Sequence, residues 1–429
     1  MVFTNEDTKA YRKTVLDNGV RIVTERVPYL PSVSLGIWVR SGSRFEHPSL
    51  NGICHFIEHM LFKGTERRSA YDIAREIDSV GGALNAFTSK EFTSFYCRVL
   101  LENMELAADL LTDIFLYSSF PEEEIEREKL VVCQEISQLE DSPEDLVHEL
   151  LGMRFWRDDP LGQPILGTVT SVANLDRETL IGFKRDNYRP QDTVVSAVGN
   201  LDHDRFVELI AGQMDGPRRE PSLYTTSQVL TEPSAHAEIK DLEQAHICIG
   251  GWGPSAVSEQ RHAGCILNAV LGGGMSSRLF QEIREKRGLA YSVYTFLSCL
   301  SDTGLFGIYA ACEPARLDEL LSITASETIR LSSTITEDEI RTAKNQLKGC
   351  IILSMESGET RMNRLAKGEY YFGRHITLDE ILGAVEGVTR SDLLDVARDM
   401  IDENPFTVVA LGPIEDDLDL STYFRTNRK

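Results

Sequence analysis

Apolar and polar positions follow two different periods along this chain. Residues 32–39, SVSLGIWV, and residues 245–253, AHICIGGWG, alternate as the strands of an antiparallel sheet do when one face is buried. Each stretch leads through a glycine-containing turn into a segment whose apolar residues recur every three or four positions, which is typical of a helix. We therefore predict an α+β fold with half-buried strands.

The same order of elements occurs twice in the chain. Three pairs of segments match in sequence order: 32–61 with 245–271, 121–142 with 336–357, and 172–200 with 385–413. A repeat of this length indicates a duplicated domain. The pattern predicts two tandem homologous domains, each a mostly antiparallel sheet packed with helices.

The predicted boundaries follow from the repeat and from a change in composition. Residues 216–236 are rich in Pro, Ser, Thr and charged residues and show little helical or strand periodicity. We interpret them as a linker. The N-terminal domain is then residues 1–215, and the C-terminal domain is residues 237–429.

Charge and composition exclude several classes of function. A formal net charge of −23 repels nucleic-acid phosphates and argues against a polynucleotide partner. No apolar run reaches the roughly 18 residues needed to cross a membrane. The acidic N-terminus lacks the features of a secretory signal, and the eight cysteines form no CxxC pair, so we expect a cytoplasmic protein with reduced thiols.

The stretch HFIEHMLFKGT, residues 55–65, holds the clearest candidate chemistry. His55 and His59 lie about 40° apart on a helix, close enough for both imidazoles to meet one ion, and Glu58 lies beside them. Further along, Glu128 and Glu135 are seven residues apart on one helical face. A catalytic zinc site needs three protein ligands and a carboxylate base, and either downstream glutamate could supply the third ligand.

The repeat separates this interpretation from an ordinary polar helix face, which is the commoner explanation of two histidines at this spacing. Scattered surface polarity gives no reason for one copy to lose the whole set, whereas an assembled site is kept or lost as a unit. The second half has lost all five polar residues, because the matching positions hold Ile266, Ala269, Val270, Ala343 and Cys350.

The motif HxxEH is the inverse of the commoner HExxH zinc motif. With Glu135 standing 76 residues beyond His59, and with the stretches GGALNAFTSKEFTSFY and IREKRGLAYSV, the chain resembles the pitrilysin/insulinase family of zinc peptidases over essentially its full length. It is most similar to the bacterial relatives of the mitochondrial processing peptidase β subunit.

The resemblance implies a role for each matching residue. His55, His59 and Glu135 would bind one Zn²⁺ per chain, and Glu58 would be the general base. Glu128 would orient a ligand without binding the ion, as carboxylates behind a metal ligand do.

Substrate contacts are implied in the same way. The segment Gly82–Thr88 would be a sheet edge onto which a peptide adds as a further strand, with Asn85 and Ala86 in contact with it. Arg284 and Tyr291 would hold the substrate backbone, and Tyr291 would also donate a hydrogen bond to the developing oxyanion. From the residues alone, an ordinary hairpin strand and a helix end capped by Gly288 stay open as alternatives.

The expected function is a zinc-dependent endopeptidase that hydrolyses short unfolded peptides inside a clam-shell cavity, with a homodimer as the assembly. A non-catalytic relative of the same fold, or a peptide-binding module with a structural zinc, are the alternatives. Within the enzyme class, trimming of one leader peptide by a processing peptidase and general degradation of peptides both fit the sequence.

Overall fold

The computed structural model describes residues 10–157, 159–214, 234–414 and 419–424, apart from the side chain of Ser421. Its strands are β1 (Tyr11–Val15), β2 (Arg21–Arg26), β3 (Ser32–Val39), β4 (Ala83–Thr88), β5 (Thr93–Leu100), β6 (Thr193–Gly199), β7 (Ser234–Ile239), β8 (Ala245–Gly253), β9 (Ala290–Cys299), β10 (Gly304–Cys312) and β11 (Thr407–Gly412).

Helices alternate with these strands along the chain. They are α1 (Ile53–Leu61), α2 (Ala70–Ser79), α3 (Met104–Tyr117), α4 (Glu122–Asp141), α5 (Pro143–Phe155), α6 (Val169–Ala173), α7 (Arg177–Asn187), α8 (His203–Ala211), α9 (Arg261–Gly272), α10 (Leu317–Thr334), α11 (Glu337–Ser354), α12 (Gly358–Phe372), α13 (Leu378–Gly387) and α14 (Arg390–Ala397). In the part of the chain that the structure describes, no helix combines the length and the apolar character needed to span a membrane.

The strands form two sheets with the same topology, which confirms the predicted α+β fold with two tandem domains. The order is β1-β2-β6-β3-β5-β4 in the first sheet and β7-β11-β8-β10-β9 in the second. Apart from β1, each strand of the first sheet has a counterpart at the same place in the second. In both sheets one neighbouring pair is parallel, β2 with β6 and β7 with β11, and the other pairs are antiparallel.

The chain divides into two compact units that exchange one helical segment each. Counting described residues, the first unit contains residues 10–137, 163–214 and 353–379, and the second contains the rest. The first unit therefore includes α12 from the second half of the sequence, whereas the second unit includes α5 from the first half. Most of the predicted linker lies outside the described residues, and its last three residues, 234–236, belong to β7 rather than to a linker.

In the first unit, α12 covers one face of the sheet. Its Met362, Leu365 and Ala366 pack with Val23, Trp38, Val194 and Val198, while the other face packs against α1, α3 and further helices of the first half. Tyr370 of α12 donates hydrogen bonds to the backbone oxygens of Trp38 and Asp192 at 2.9 and 2.7 Å. The second unit has an equivalent arrangement, in which Val147, Leu150 and Leu151 of α5 pack on β8, β10 and β11.

The prediction of half-buried strands is wrong for the centres of both sheets. In β3 every residue from Val33 to Val39 is buried, and all residues of β6 and β11 are buried as well. Because a helix from the other half of the sequence covers the second face, these strands need apolar residues on both sides. The near-continuous apolar runs TVVSAVG and TVVALG are typical of such strands.

Removing packing between α12 and its sheet tests the exchanged arrangement. Met362 is fully buried, and we expect Met362→Ala to lower the stability of the protein by about 2–5 kcal/mol, since it leaves a cavity. Met275 is 76% exposed, so Met275→Ala is the matched control. Thermal unfolding followed by circular dichroism measures both; equal Tm values for the two variants would contradict the packing of α12 described above.

Candidate metal centre

Helix α1 carries the histidines because its sequence separates an apolar face from a polar margin. Ile53, Phe56, Ile57 and Met60 are fully buried, at the i, i+3, i+4 and i+7 positions that define one helical face. The residues between them, His55, Glu58 and His59, are only partly buried. Burial of the apolar face therefore turns these three polar side chains toward one margin of the helix.

A buried carboxylate fixes the start of this helix. Glu46 is 3% exposed and accepts hydrogen bonds from the backbone amides of Gly52 and Cys54, each at 2.8 Å, and from the side-chain amide of Asn51 at 3.0 Å. An anion at this position pairs with the free amides and the positive end of a helix. Burial raises the pKa of Glu46, although these hydrogen bonds oppose the rise.

Three side chains converge on one point between α1 and α4. Oε2 of Glu135 lies 3.6 Å from Nε2 of His55 and 3.6 Å from Nε2 of His59. One donor atom from each of the three residues lies within 4.8 Å of the other two. The two imidazole rings are 4.6 Å apart between centroids. Two helices that are distant in sequence thus present two imidazole nitrogens and a carboxylate oxygen together.

This set fits a zinc ion. Zinc binds imidazole nitrogen and carboxylate oxygen at about 2.0–2.2 Å, so two ligands of a tetrahedral ion lie roughly 3.3 Å apart, close to the separations of 3.6 Å found here. Within the described residues, the group contains three candidate ligands. Three protein ligands are the number in catalytic zinc sites, whereas structural sites have four.

Glu128 contacts His59 from the side away from Glu135. Its Oε2 accepts a hydrogen bond from Nδ1 of His59 at 2.9 Å, and its Oε1 lies 2.6 Å from Nζ of Lys63. Burial raises the pKa of Glu128, but these two contacts outweigh burial and hold it below its usual value. With Nδ1 of His59 engaged by this carboxylate, Nε2 is the nitrogen that remains for a metal ion.

The two histidines differ in their affinity for protons. Burial, helped by the neighbouring His59, lowers the pKa of His55 to about 4. Burial acts in the same direction on His59, but the hydrogen bond to Glu128 and the charges of Glu135 and Glu128 outweigh it and raise the pKa. His55 is therefore neutral near pH 7, in the state that binds a metal, whereas the contacts of His59 favour its protonated form more than they do in a free imidazole.

Glu58 is hydrogen-bonded to strand β4 of the sheet in the same unit. The hydroxyl of Thr88, in β4, donates a hydrogen bond to Oε2 of Glu58 at 2.5 Å. Burial raises the pKa of Glu58, while the Thr88 hydrogen bond and the charge of His59 act against the rise. A carboxylate with a raised pKa accepts protons more readily, and this one is held in place from the sheet.

The segment expected to be an edge strand is confirmed as one. Strand β4 lies at the end of its sheet, with β5 as its hydrogen-bonded neighbour among the described strands. Asn85 and Ala86 lie in the middle of it. The amide of Ala86 donates to Oδ1 of Asn85 at 2.8 Å, so this amide is bonded by a side chain and not by a further strand.

Arg284 and Tyr291 lie together in the second unit. Arg284 is in a π-helical turn, Phe280–Glu285, and its guanidinium carbon stands 4.4 Å from the centre of the Tyr291 ring. Tyr291 is in the edge strand β9 and is 77% exposed. Gly288 between them has a φ of +56°, and its amide donates to the carbonyl of Arg284 at 3.0 Å, which ends the helix as expected.

The second unit shows what loss of the polar set leaves behind. Helices α9 and α11 correspond to α1 and α4, and a cleft of about 120 Å³ lies between them. Ala269, Val270 and Ala343, which match Glu58, His59 and Glu128, line this cleft. Smaller residues thus leave space where the first unit places its carboxylates and imidazoles.

Three residues of the centre were not singled out from the sequence: Glu46, Lys63 and Thr88. Lys63 and Thr88 lie inside HFIEHMLFKGT and GGALNAFTSKEFTSFY, so the motifs contained them without showing their contacts. Glu46 had a weaker signal, an acidic residue shortly before a predicted helix. Each contact depends on folding of the chain around α1.

Similar proteins were found by sequence and by structure. Residues 21–169 match the sequence model described as insulinase, peptidase family M16, and residues 174–347 match the model described as the M16 inactive domain. Uncharacterized zinc proteases of Streptomyces coelicolor and Bacillus subtilis are 41% and 40% identical, over 94% of this chain and 90% and 98% of their own lengths.

A solved protease from Helicobacter pylori has the same fold, with a TM-score of 0.86 and 21% identity over 94% of this chain and 99% of that one. The two domain matches together cover well over half of the sequence, and the two relatives cover nearly all of it. The chain therefore belongs to the insulinase family of peptidases, peptidase family M16.

Proposed function

We propose that the protein is a zinc-dependent endopeptidase in which His55, His59 and Glu135 bind one zinc ion and Glu58 is the general base. The convergence of two imidazole nitrogens on one carboxylate oxygen, with Glu58 on the same helix margin, carries this proposal. The names of the two relatives, both zinc proteases, support the choice of metal.

The residues of the chain divide the chemistry between them. When bound, zinc supplies Lewis-acid chemistry, which lowers the pKa of water and polarises a carbonyl group. Glu58 accepts the proton of the attacking water and later passes it to the leaving amine. Thr88 holds the carboxylate of Glu58 in position for both transfers. Glu128 keeps the ring of His59 oriented through Nδ1.

Substrate would bind as an extended strand along β4. An edge strand recognises a peptide through main-chain hydrogen bonds, and the amide of Ala86 becomes available when Asn85 turns aside. Such binding requires an extended segment, so the proposed substrates are short unfolded peptides. Arg284 and Tyr291 are the proposed contacts to the substrate backbone, with Tyr291 as the donor to the oxyanion.

Removing the base should separate turnover from metal binding. Glu58→Gln keeps all three proposed ligands, so we expect zinc content to stay at one per chain while kcat falls by about 10²–10⁴-fold. Cleavage of a quenched-fluorescence peptide library and elemental analysis measure the two quantities. Full activity of Glu58→Gln would disprove the assigned base. The library profile of the wild type also separates a narrow processing enzyme from a general peptidase.

Removing a ligand should have the opposite consequence. We expect His59→Ala and Glu135→Gln to weaken zinc binding, because each leaves only two protein ligands. Glu126→Gln is a matched control, since Glu126 lies on the same helix and pairs with Lys129. Competition with a chromogenic chelator measures the affinities. If either ligand variant binds zinc as tightly as the control does, that residue is not a ligand.

The substrate role of Arg284 has its own test. We expect Arg284→Ala to lower kcat/KM by roughly tenfold or more with zinc content unchanged, since it removes binding to substrate and transition state. Arg287→Ala is the comparison, because Arg287 is a nearby arginine that pairs with Glu282, whereas Arg284 stacks on Tyr291. Peptide cleavage kinetics decide the assignment, and equal kcat/KM values for the two variants would remove Arg284 from the substrate site.

A further inference from the structure

We propose that Lys63 is a positioning residue of the metal centre, acting on His59 through Glu128. The inference rests on the proposed zinc function and adds a residue for which neither the motif nor the family match gives a role. Lys63 is the second residue after the end of α1, and its backbone amide donates to the carbonyl of Met60 at 3.2 Å. The helix that presents His59 therefore also fixes the backbone of Lys63.

The two oxygens of Glu128 are divided between the two residues. Oε2 accepts from His59 at 2.9 Å, whereas Oε1 pairs with Lys63 at 2.6 Å. The side chain of Glu128 is only 5% exposed, while that of Lys63 is 28% exposed. A buried carboxylate is costly unless it is paired and hydrogen-bonded, so Lys63 stabilises the charged form of Glu128 that accepts from Nδ1 of His59.

The sum of the formal charges at the metal centre also supports a role for Lys63. Glu58, Glu128 and Glu135 bring three negative charges to the centre, and a zinc ion brings two positive ones. The ammonium group of Lys63 supplies the remaining positive charge, so the loaded centre is neutral. Partly buried charges favour such a balance, because an excess charge there is poorly solvated.

The repeated half provides an independent comparison. The offset that matches His55 with Ile266 and His59 with Val270 matches Lys63 with Gly274. The same half has Ala343 in place of Glu128. The copy that lost the ligands thus also lost both the carboxylate and the lysine, as expected if Lys63 belongs to the functional set and not to the fold that both halves share.

Zinc affinity of the full-length protein tests the proposal. We expect Lys63→Met to weaken zinc binding by about 10–100-fold, the usual effect of removing a group that supports a metal ligand. Lys129→Met is the control, because Lys129 lies one residue from Glu128 but pairs with Glu126. Competition with a chromogenic chelator gives each affinity, and circular dichroism of the metal-free proteins shows whether each variant is folded.

A double-mutant cycle separates action through Glu128 from a general effect on the fold. If Lys63 acts through the carboxylate, Lys63→Met adds little to the loss of zinc affinity caused by Glu128→Gln. The same factor in both backgrounds would overturn the proposal, and so would zinc binding by Lys63→Met that equals the wild type. Lys63→Gln, which keeps a donor without the charge, replaces Lys63→Met if that variant does not fold.

The outcomes distinguish this inference from the function on which it rests. A wild-type protein that binds no zinc overturns the proposed function and the inference with it. If the wild type binds zinc and Lys63→Met binds it equally well, only the role of Lys63 fails. The Co²⁺ spectrum adds a readout independent of catalysis: we expect Lys63→Met to keep the tetrahedral bands at saturating cobalt, since all three ligands remain.

Discussion

The hydrogen bond between Glu128 and His59 joins two helices whose contacting residues are 69 positions apart in the sequence. Because Glu135 lies about two turns beyond Glu128 on α4, the same alignment of helices brings Glu135 close to both imidazoles. A single helix-to-helix contact thus sets the orientation of one histidine and the position of the third candidate ligand. The apolar face of α1 and the Glu46 carboxylate at its start hold the other side of this contact.

Burial determines how the groups of the centre share protons. The same desolvation lowers the pKa of His55 and opposes the rise in the pKa of His59, yet only His59 is hydrogen-bonded to Glu128, and this bond together with the charge of Glu135 outweighs burial. Burial raises the pKa of Glu58, whereas the hydrogen bond from Thr88 acts against this rise. Neighbouring side chains on one helix therefore differ in their proton affinity because their contacts differ. Glu128 of α4 acts on His59, whereas Thr88 of β4 acts on Glu58.

The two halves show how one topology supports two different sites. Both sheets have the same strand order, and each receives a helix from the other half of the sequence on its second face. The two units differ in the pair of helices beside each sheet, α1 and α4 in the first unit and α9 and α11 in the second. In the first unit that pair holds the acidic and imidazole side chains, whereas in the second unit small residues leave a cleft of about 120 Å³. The fold tolerates this loss because those side chains lie at the margin of the core.

Much of this was readable from the sequence. Helical spacing placed His55, Glu58 and His59 on one margin, the seven-residue interval placed Glu128 and Glu135 on one face, and the repeat predicted two matching sheets. These inferences succeed because they depend on local geometry, which a period along the chain records. The half-buried strands were predicted wrongly for the central strands, since the pattern of a strand does not say which helix covers its second face.

The tertiary structure alone decided which distant groups meet. Packing among segments far apart in the sequence produces three features of the structure. Helices α12 and α5 are exchanged between the two units, Thr88 is hydrogen-bonded to Glu58, and Lys63 pairs with Glu128. Local periodicity carries no information about such contacts, because they depend on how whole elements pack and not on the order of residues within one. The sequence thus determined the candidate groups, and folding determined their partners.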